Sequence, residues 1–124
     1  MNLHKISENF VFKALKYIGH GHLKLTNFNR DVFYFGDKKE NLKAEIRINN
    51  PGFFLNVIKN GSIGLAESYM KGEFETNNLS NLIELTARNI DIIYKFSGIL
   101  DFTVINYLKM KFIKNTKKRS KENI

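Results

Sequence analysis

The residues of this chain that could do chemistry are few and widely placed. His20 and His22 flank Gly21, and a His-x-His pair on a strand can present two imidazoles to a metal. No third ligand stands near them, and the pair falls where a helix gives way to a strand, so it reads as a joint and no metal site is expected. The third histidine, His4, stands far from both. The stretch "GSIGLAESYMKG", Gly61 to Gly72, has the glycines of a phosphate loop but no Lys-Ser/Thr pair and no strand directly before it. G-x-S-x-G and G-x-G-x-x-G are both absent. Without a cysteine, thiol nucleophiles, disulfides and cysteine-ligated metals are excluded. Within the glycine stretch, Glu67 and Lys71 have the i, i+4 order that favours a helical ion pair, the plain alternative to a functional Glu67.

Positioning elements can be read from hydrophobic periodicity. Leu3, Ile6, Phe10, Ala14 and Tyr17 recur at helical spacing, and Gly19 and Gly21 end that run. His22 to Phe28 and "VFYFG", ending at Gly36, read as strands joined by the turn Asn29 to Asp31. Beyond the polar turn "DKKEN", Leu42, Ala44, Ile46 and Ile48 alternate with Lys43, Glu45 and Arg47, the period of a half-buried strand, here expected to continue an antiparallel meander. Asn49 or Asn50 is the expected N-cap of a helix with Pro51 at its first position and Gly61 as its stop. A second short helix covers roughly Ile63 to Lys71 and ends at Gly72, expected at positive φ. "EFET" is a short strand with Phe74 inward. Asn77 or Asn78 caps a longer helix with the stripe Leu79, Leu82, Ile83, Thr86, Ile90 and Ile93. Ser97-Gly98 breaks it, and another helix is expected from Ile99 to about Thr116. This order predicts an α+β fold, a small mainly antiparallel sheet with helices packed on one face. Residues 1–95 form the domain and residues 96–124 a helical, basic linker.

With 124 residues, 43% of them apolar, and eleven Phe, the chain can fill one core. No run reaches the roughly 18 apolar residues of a membrane span, and no secretory signal opens the chain, so a soluble protein is expected. The net charge of +8 is lopsided: from Lys109 onward seven Lys/Arg stand against one acid, and before it thirteen against eleven. Such a tail attracts polyanions, either nucleic acid or an anionic membrane. Nucleic acid is disfavoured, since the charge lies in a linker-like tail and no nucleic-acid motif is present.

The stretch "NGSIGLAESYMKGEFETNNLSNLIELTARN", Asn60 to Asn89, resembles the N-terminal region of cyclopropane-fatty-acyl-phospholipid synthases. Its specific core is Gly61, Gly64, Glu67, Tyr69 and Gly72; Phe74 stands where the family often has tryptophan. "LKLTNFNRDVFYFGD" and "AEIRINNPGFFLNVIKNG" also fit, so the resemblance covers about Gly21 to Asn89. "RSKENI" resembles the stretch just before the His-Tyr-Asp-Leu-Gly-Asn motif that opens the family's catalytic domain. The resemblance implies a non-catalytic N-terminal domain, no enzyme by itself. S-adenosylmethionine would belong to the catalytic domain and no cofactor to this chain. The element order separately resembles that of sterol-carrier-protein-like domains, which hold lipid between a sheet and its helices. The synthase resemblance further implies engagement of phospholipid or an anionic membrane surface and a cytoplasmic place at the inner face of the membrane. Partners would be the catalytic domain of the same enzyme and a second copy in a homodimer. A purely structural or dimerisation module, built on the apolar stretch from Ile90 to Ile113, is the alternative. For lipid, "PGFFLNVI" offers Phe53, Phe54 and Val57, followed by Tyr69 and Met70, with Arg47 to meet a phosphate.

Overall fold

The structure is a computed structural model that describes residues 2–92. Along the chain run α1 (Leu3–Leu15), β1 (His22–Thr26), β2 (Val32–Gly36), β3 (Lys43–Ile48), α2 (Gly52–Met70), β4 (Phe74–Thr76) and α3 (Leu79–Arg88). The expected helix from Ile99, the break at Ser97-Gly98, Ile93, the boundary at residues 95/96 and the basic tail lie outside the described residues.

The four strands form one open sheet in the order β2-β1-β3-β4. β1 pairs antiparallel with β2, and β3 antiparallel with β4. The inner pairing, β1 with β3, is parallel: Leu23 stands beside Ala44 and Leu25 beside Ile46. The fold is α+β and mainly antiparallel, but the expected meander is corrected at this point. After β2 the chain does not turn back along β2's free edge; it passes around the start of β1. The Asp37 N–H donates to the Gly21 carbonyl (3.2 Å) and the His22 N–H to the Leu42 carbonyl (2.9 Å). β3 therefore emerges on β1's far side, where it gains β4 as a second partner.

One face of the sheet is apolar. Leu23, Leu25, Phe35, Ala44, Ile46, Ile48 and Phe74 are buried there against Phe53, Phe54, Leu82 and Leu85 of the helices. The opposite face carries Lys24, Tyr34, Glu45, Arg47 and Glu75. α1 forms as expected, capped by the Asn2 side chain, which accepts from the His4 N–H (3.0 Å). Its buried face, however, is not the expected stripe. Leu3, Ile6 and Tyr17 are exposed, whereas Ser7 and Glu8 are buried and Val11, Phe12 and Leu15 pack on the core. The rotation has a polar cause. Glu8 accepts from the Asn27 side chain (3.1 Å) and from Lys5 (3.2 Å), and the Ser7 hydroxyl donates to the Leu3 carbonyl (2.9 Å). Satisfied polar groups can be buried at little cost, and here they decide which side turns inward.

Candidate apolar groove

α2 is two helical arms joined at Gly61, whose backbone (φ 55°, ψ −129°) leaves the helix. Asn50 begins the first arm: its side chain accepts from the Gly52 N–H (2.9 Å) and its carbonyl from the Phe53 N–H (3.1 Å). Pro51, with φ −63°, sits just ahead of Gly52. The first arm drives Phe53 and Phe54 into the core, 4% and 2% exposed. Their rings meet Phe74 (5.3 Å) and Phe12 (5.8 Å) edge-on, a favoured geometry for aromatic pairs.

The second arm folds back beside the first. A Cβ at Gly64 would overlap the carbonyl oxygen of Asn56, so only a glycine permits this approach. Ser68, fully buried, accepts from the Asn56 side chain at 3.0 Å. The arm ends at Gly72 (φ 73°), whose N–H donates to the Tyr69 carbonyl while the Glu73 N–H donates to that of Ser68. That pair of bonds closes the helix C-terminus and matches the positive φ expected at Gly72. Three residues of the glycine stretch thus have structural reasons: a turn at Gly61, a close approach at Gly64 and a stop at Gly72.

α3 faces this arm. Asn78 caps it, accepting from the Asn81 N–H (3.1 Å), and the Asn81 side chain donates to the Lys43 carbonyl (3.1 Å), which ties the helix to β3. At its other end the buried Asn89 accepts from the Gly19 and His20 N–H groups (3.0 and 3.1 Å) and donates to the His20 and Leu85 carbonyls (2.8 Å each). Every hydrogen-bonding position of its amide is used, so α3 is clamped to the joint between α1 and β1.

Between the second arm and α3 lies a groove of about 580 Å³, floored by Phe74 and Leu82. Leu65, Tyr69 and Met70 form one wall, and Ile83, Thr86 and Ile90 the other. The rim is open: Met70 is 76%, Ile83 56% and Tyr69 42% exposed. Among the described residues, no carboxylate, amine or imidazole lines it. The Thr86 hydroxyl is already spent on the Leu82 carbonyl (2.9 Å). Such a site can hold an apolar chain, with the hydroxyls of Ser62, Tyr69 and Thr86 as its polar side-chain groups among the described residues.

The expected lipid residues are therefore not one patch. Tyr69 and Met70 stand on the groove. Phe53 and Phe54 are core residues with no surface to offer, and Val57 packs half-buried against them, because the first arm is the one laid on the sheet. Arg47 lies on the opposite face of the sheet, paired with Glu75 at 2.8 Å. Glu67 and Lys71 do not form the expected ion pair; the ion pairs among the described residues are Lys5–Glu8, Arg47–Glu75 and Arg88–Glu84. His20 is exposed, and His22 stacks on Tyr34 (5.8 Å between ring centres). No group of three potential metal ligands occurs among the described residues. The expected α3 stripe lies on one side: Leu79, Leu82, Ile83, Thr86 and Ile90 all line the groove. Leu85, outside that stripe, is buried.

Two curated relatives match the chain. The cyclopropane-fatty-acyl-phospholipid synthase of Escherichia coli (strain K12) is 53% identical over 45 residues, which is 36% of this chain and 12% of the enzyme. The same enzyme from E. coli O6:H1 matches to the same extent. The relationship to the synthase is partial. The match spans about an eighth of that enzyme's length. No protein-family profile and no solved structure matches the chain.

Proposed function

We propose that this chain is the non-catalytic N-terminal domain of a cyclopropane-fatty-acyl-phospholipid synthase-like enzyme. It engages phospholipid or a membrane surface and positions an S-adenosylmethionine-dependent methyltransferase domain, which alone carries the cofactor. The observation that supports this reading best is the open, uncharged groove between the second arm of α2 and α3. Its exposed apolar rim is suited to acyl chains, and among the described residues no carboxylate, amine or imidazole lines it. The likeness to sterol-carrier domains and the placement at the inner face of a membrane belong to the same reading. No helix among the described residues is long and apolar enough to cross a membrane, so engagement would be from the surface. The exposed Leu3 and Ile6 on α1 favour a second reading, in which apolar surface serves docking to the catalytic domain or to a second copy.

Sedimentation with vesicles rich in anionic phospholipid separates the two. The intact chain is expected to sediment with the vesicles, less so as salt is added, since attraction to basic residues is screened. Exchanging both rim residues, Met70→Ser with Ile83→Ser, should weaken binding by about tenfold or more, each lost apolar contact being worth on the order of 1 kcal/mol. Intact chain left in the supernatant at low salt would overturn the lipid reading. Unchanged binding by the double variant would move it away from the groove.

A further inference from the structure

The second arm of α2 is attached differently from everything around it. It is bounded by Gly61 and Gly72, both at positive φ and both with open space where a Cβ would stand. Beyond Gly72 the chain is fixed: the Glu73 carbonyl accepts from the Asn49 and Asn50 N–H groups (2.8 and 3.1 Å). Before Gly61 it is fixed by Phe53 and Phe54 in the core. Between these points, Leu65 packs on the core and the half-exposed Tyr69 ring tilts against Phe74 (5.7 Å), while Ile63 and Met70 face outward.

Where the arm meets the first arm, the side-chain contact is polar. Asn60 donates to the Asn56 side-chain oxygen (2.7 Å), and the Asn56 amide donates to the Ser68 hydroxyl (3.0 Å). This chain is incomplete, for the side-chain oxygen of Asn60 is buried without a donor. A buried polar group left unpaired costs stability, and opening the contact to water would relieve it. Gly64 adds no side chain to the seam.

We infer that residues 62–70 are a lid, rolling about the line between Gly61 and Gly72, with the Asn56–Ser68 hydrogen bond as its latch. Because this arm is one wall of the groove, the roll sets how fast the groove admits an apolar chain. That last step rests on the groove being the lipid site; the motion itself does not.

Two measurements on the full chain test it. Amide exchange without ligand reads the opening directly. Amides of residues 62–70 should exchange about tenfold faster than those of the first arm, as expected of a sub-global opening. Ser68→Ala, a small change that removes the latch hydroxyl, should speed exchange in the second arm about fivefold and leave the first arm unchanged. If both arms exchange together, and Ser68→Ala moves them alike, α2 is one rigid body and the lid is wrong.

The second measurement uses the absence of native cysteine. Asn56→Cys with Ser68→Cys, bridged by a short bis-thiosulfonate reagent, locks the latch, and reductant releases it. Stopped-flow uptake of dansyl-labelled undecanoic acid should be about tenfold slower when bridged, in keeping with a suppressed local opening, and should recover on reduction. Equal rates in both states would overturn the gating. No uptake by the unmodified chain would overturn the lipid site, and gating with it, whereas the exchange pattern would still decide the motion.

Discussion

The two arms of α2 are similar in composition and opposite in use. "GFFLNVIKN" and "SIGLAESYM" are both short, mostly apolar helices, the first with Asn56, Lys59 and Asn60 and the second with Ser62, Glu67 and Ser68 as polar side chains. The first is laid on the sheet and buries two aromatic rings. The second lies beside it, touches it through a glycine and a hydroxyl, and leaves Ile63 and Met70 to solvent. Apolar content did not separate them. The separating feature is where the small residues fall: Gly64 and Ser68, four apart, line the side of the second arm that meets the first, so no large side chain of this arm enters that seam.

The largest expected effect breaks the first arm. Phe54→Ala removes a ring that is 2% exposed and packed on Phe12 and Phe53, and should cost about 3–5 kcal/mol, seen as a fall in Tm of roughly 15 °C or more. A change of only a few degrees would mean that this arm is not what holds the helices on the sheet.

Next comes the seam. Gly64→Val puts a branched side chain against the Asn56 carbonyl oxygen, and backbone on both sides cannot yield as a flexible side chain would. The expected cost is about 1–3 kcal/mol, the range for overpacking, read as a lower denaturant midpoint. Ala66→Val, on an exposed position of the same arm, controls for helix propensity. If the two variants lose equal stability, the arms are not in contact at Gly64.

Much of this was legible in the sequence, and the failures share a cause. Strand alternation from Ala44 to Ile48 correctly names the buried side of β3, yet a parallel and an antiparallel neighbour bury that side alike. The pairing depends on hydrogen bonds from Asp37 and His22 that have no sequence pattern. Periodicity found α1 and α3 but missed which polar residues are buried on them, because Glu8 and Asn89 find partners far along the chain, at Asn27 and at Gly19 and His20. Phe53 and Phe54 drew attention as apolar surface, since nothing local says which of two adjoining helices meets the sheet. For the glycine stretch the sequence was more informative. Gly61 and Gly72 were expected as helix ends and are; Gly64 had no expected role, since a close approach between arms is visible only once both are placed.

The smallest expected effect is the sharpest test of the contrast. Met70→Ser combined with Ile83→Ser removes two large apolar side chains from the groove rim, one on each wall. Both are more than half exposed, so in the free chain they are already largely in water and little burial is lost. Stability should change by no more than about 0.5 kcal/mol, the usual span for surface substitutions, and circular dichroism should be unaltered. Compare Phe54→Ala: one ring removed in place of two side chains, yet a cost several times larger, because the ring is buried. Should the rim variant lose stability on the scale of the core variant, those side chains are covered by something within the intact chain, and the groove is a seam of the fold. A neutral outcome leaves them as surface maintained at no benefit to folding, which is what a binding surface requires.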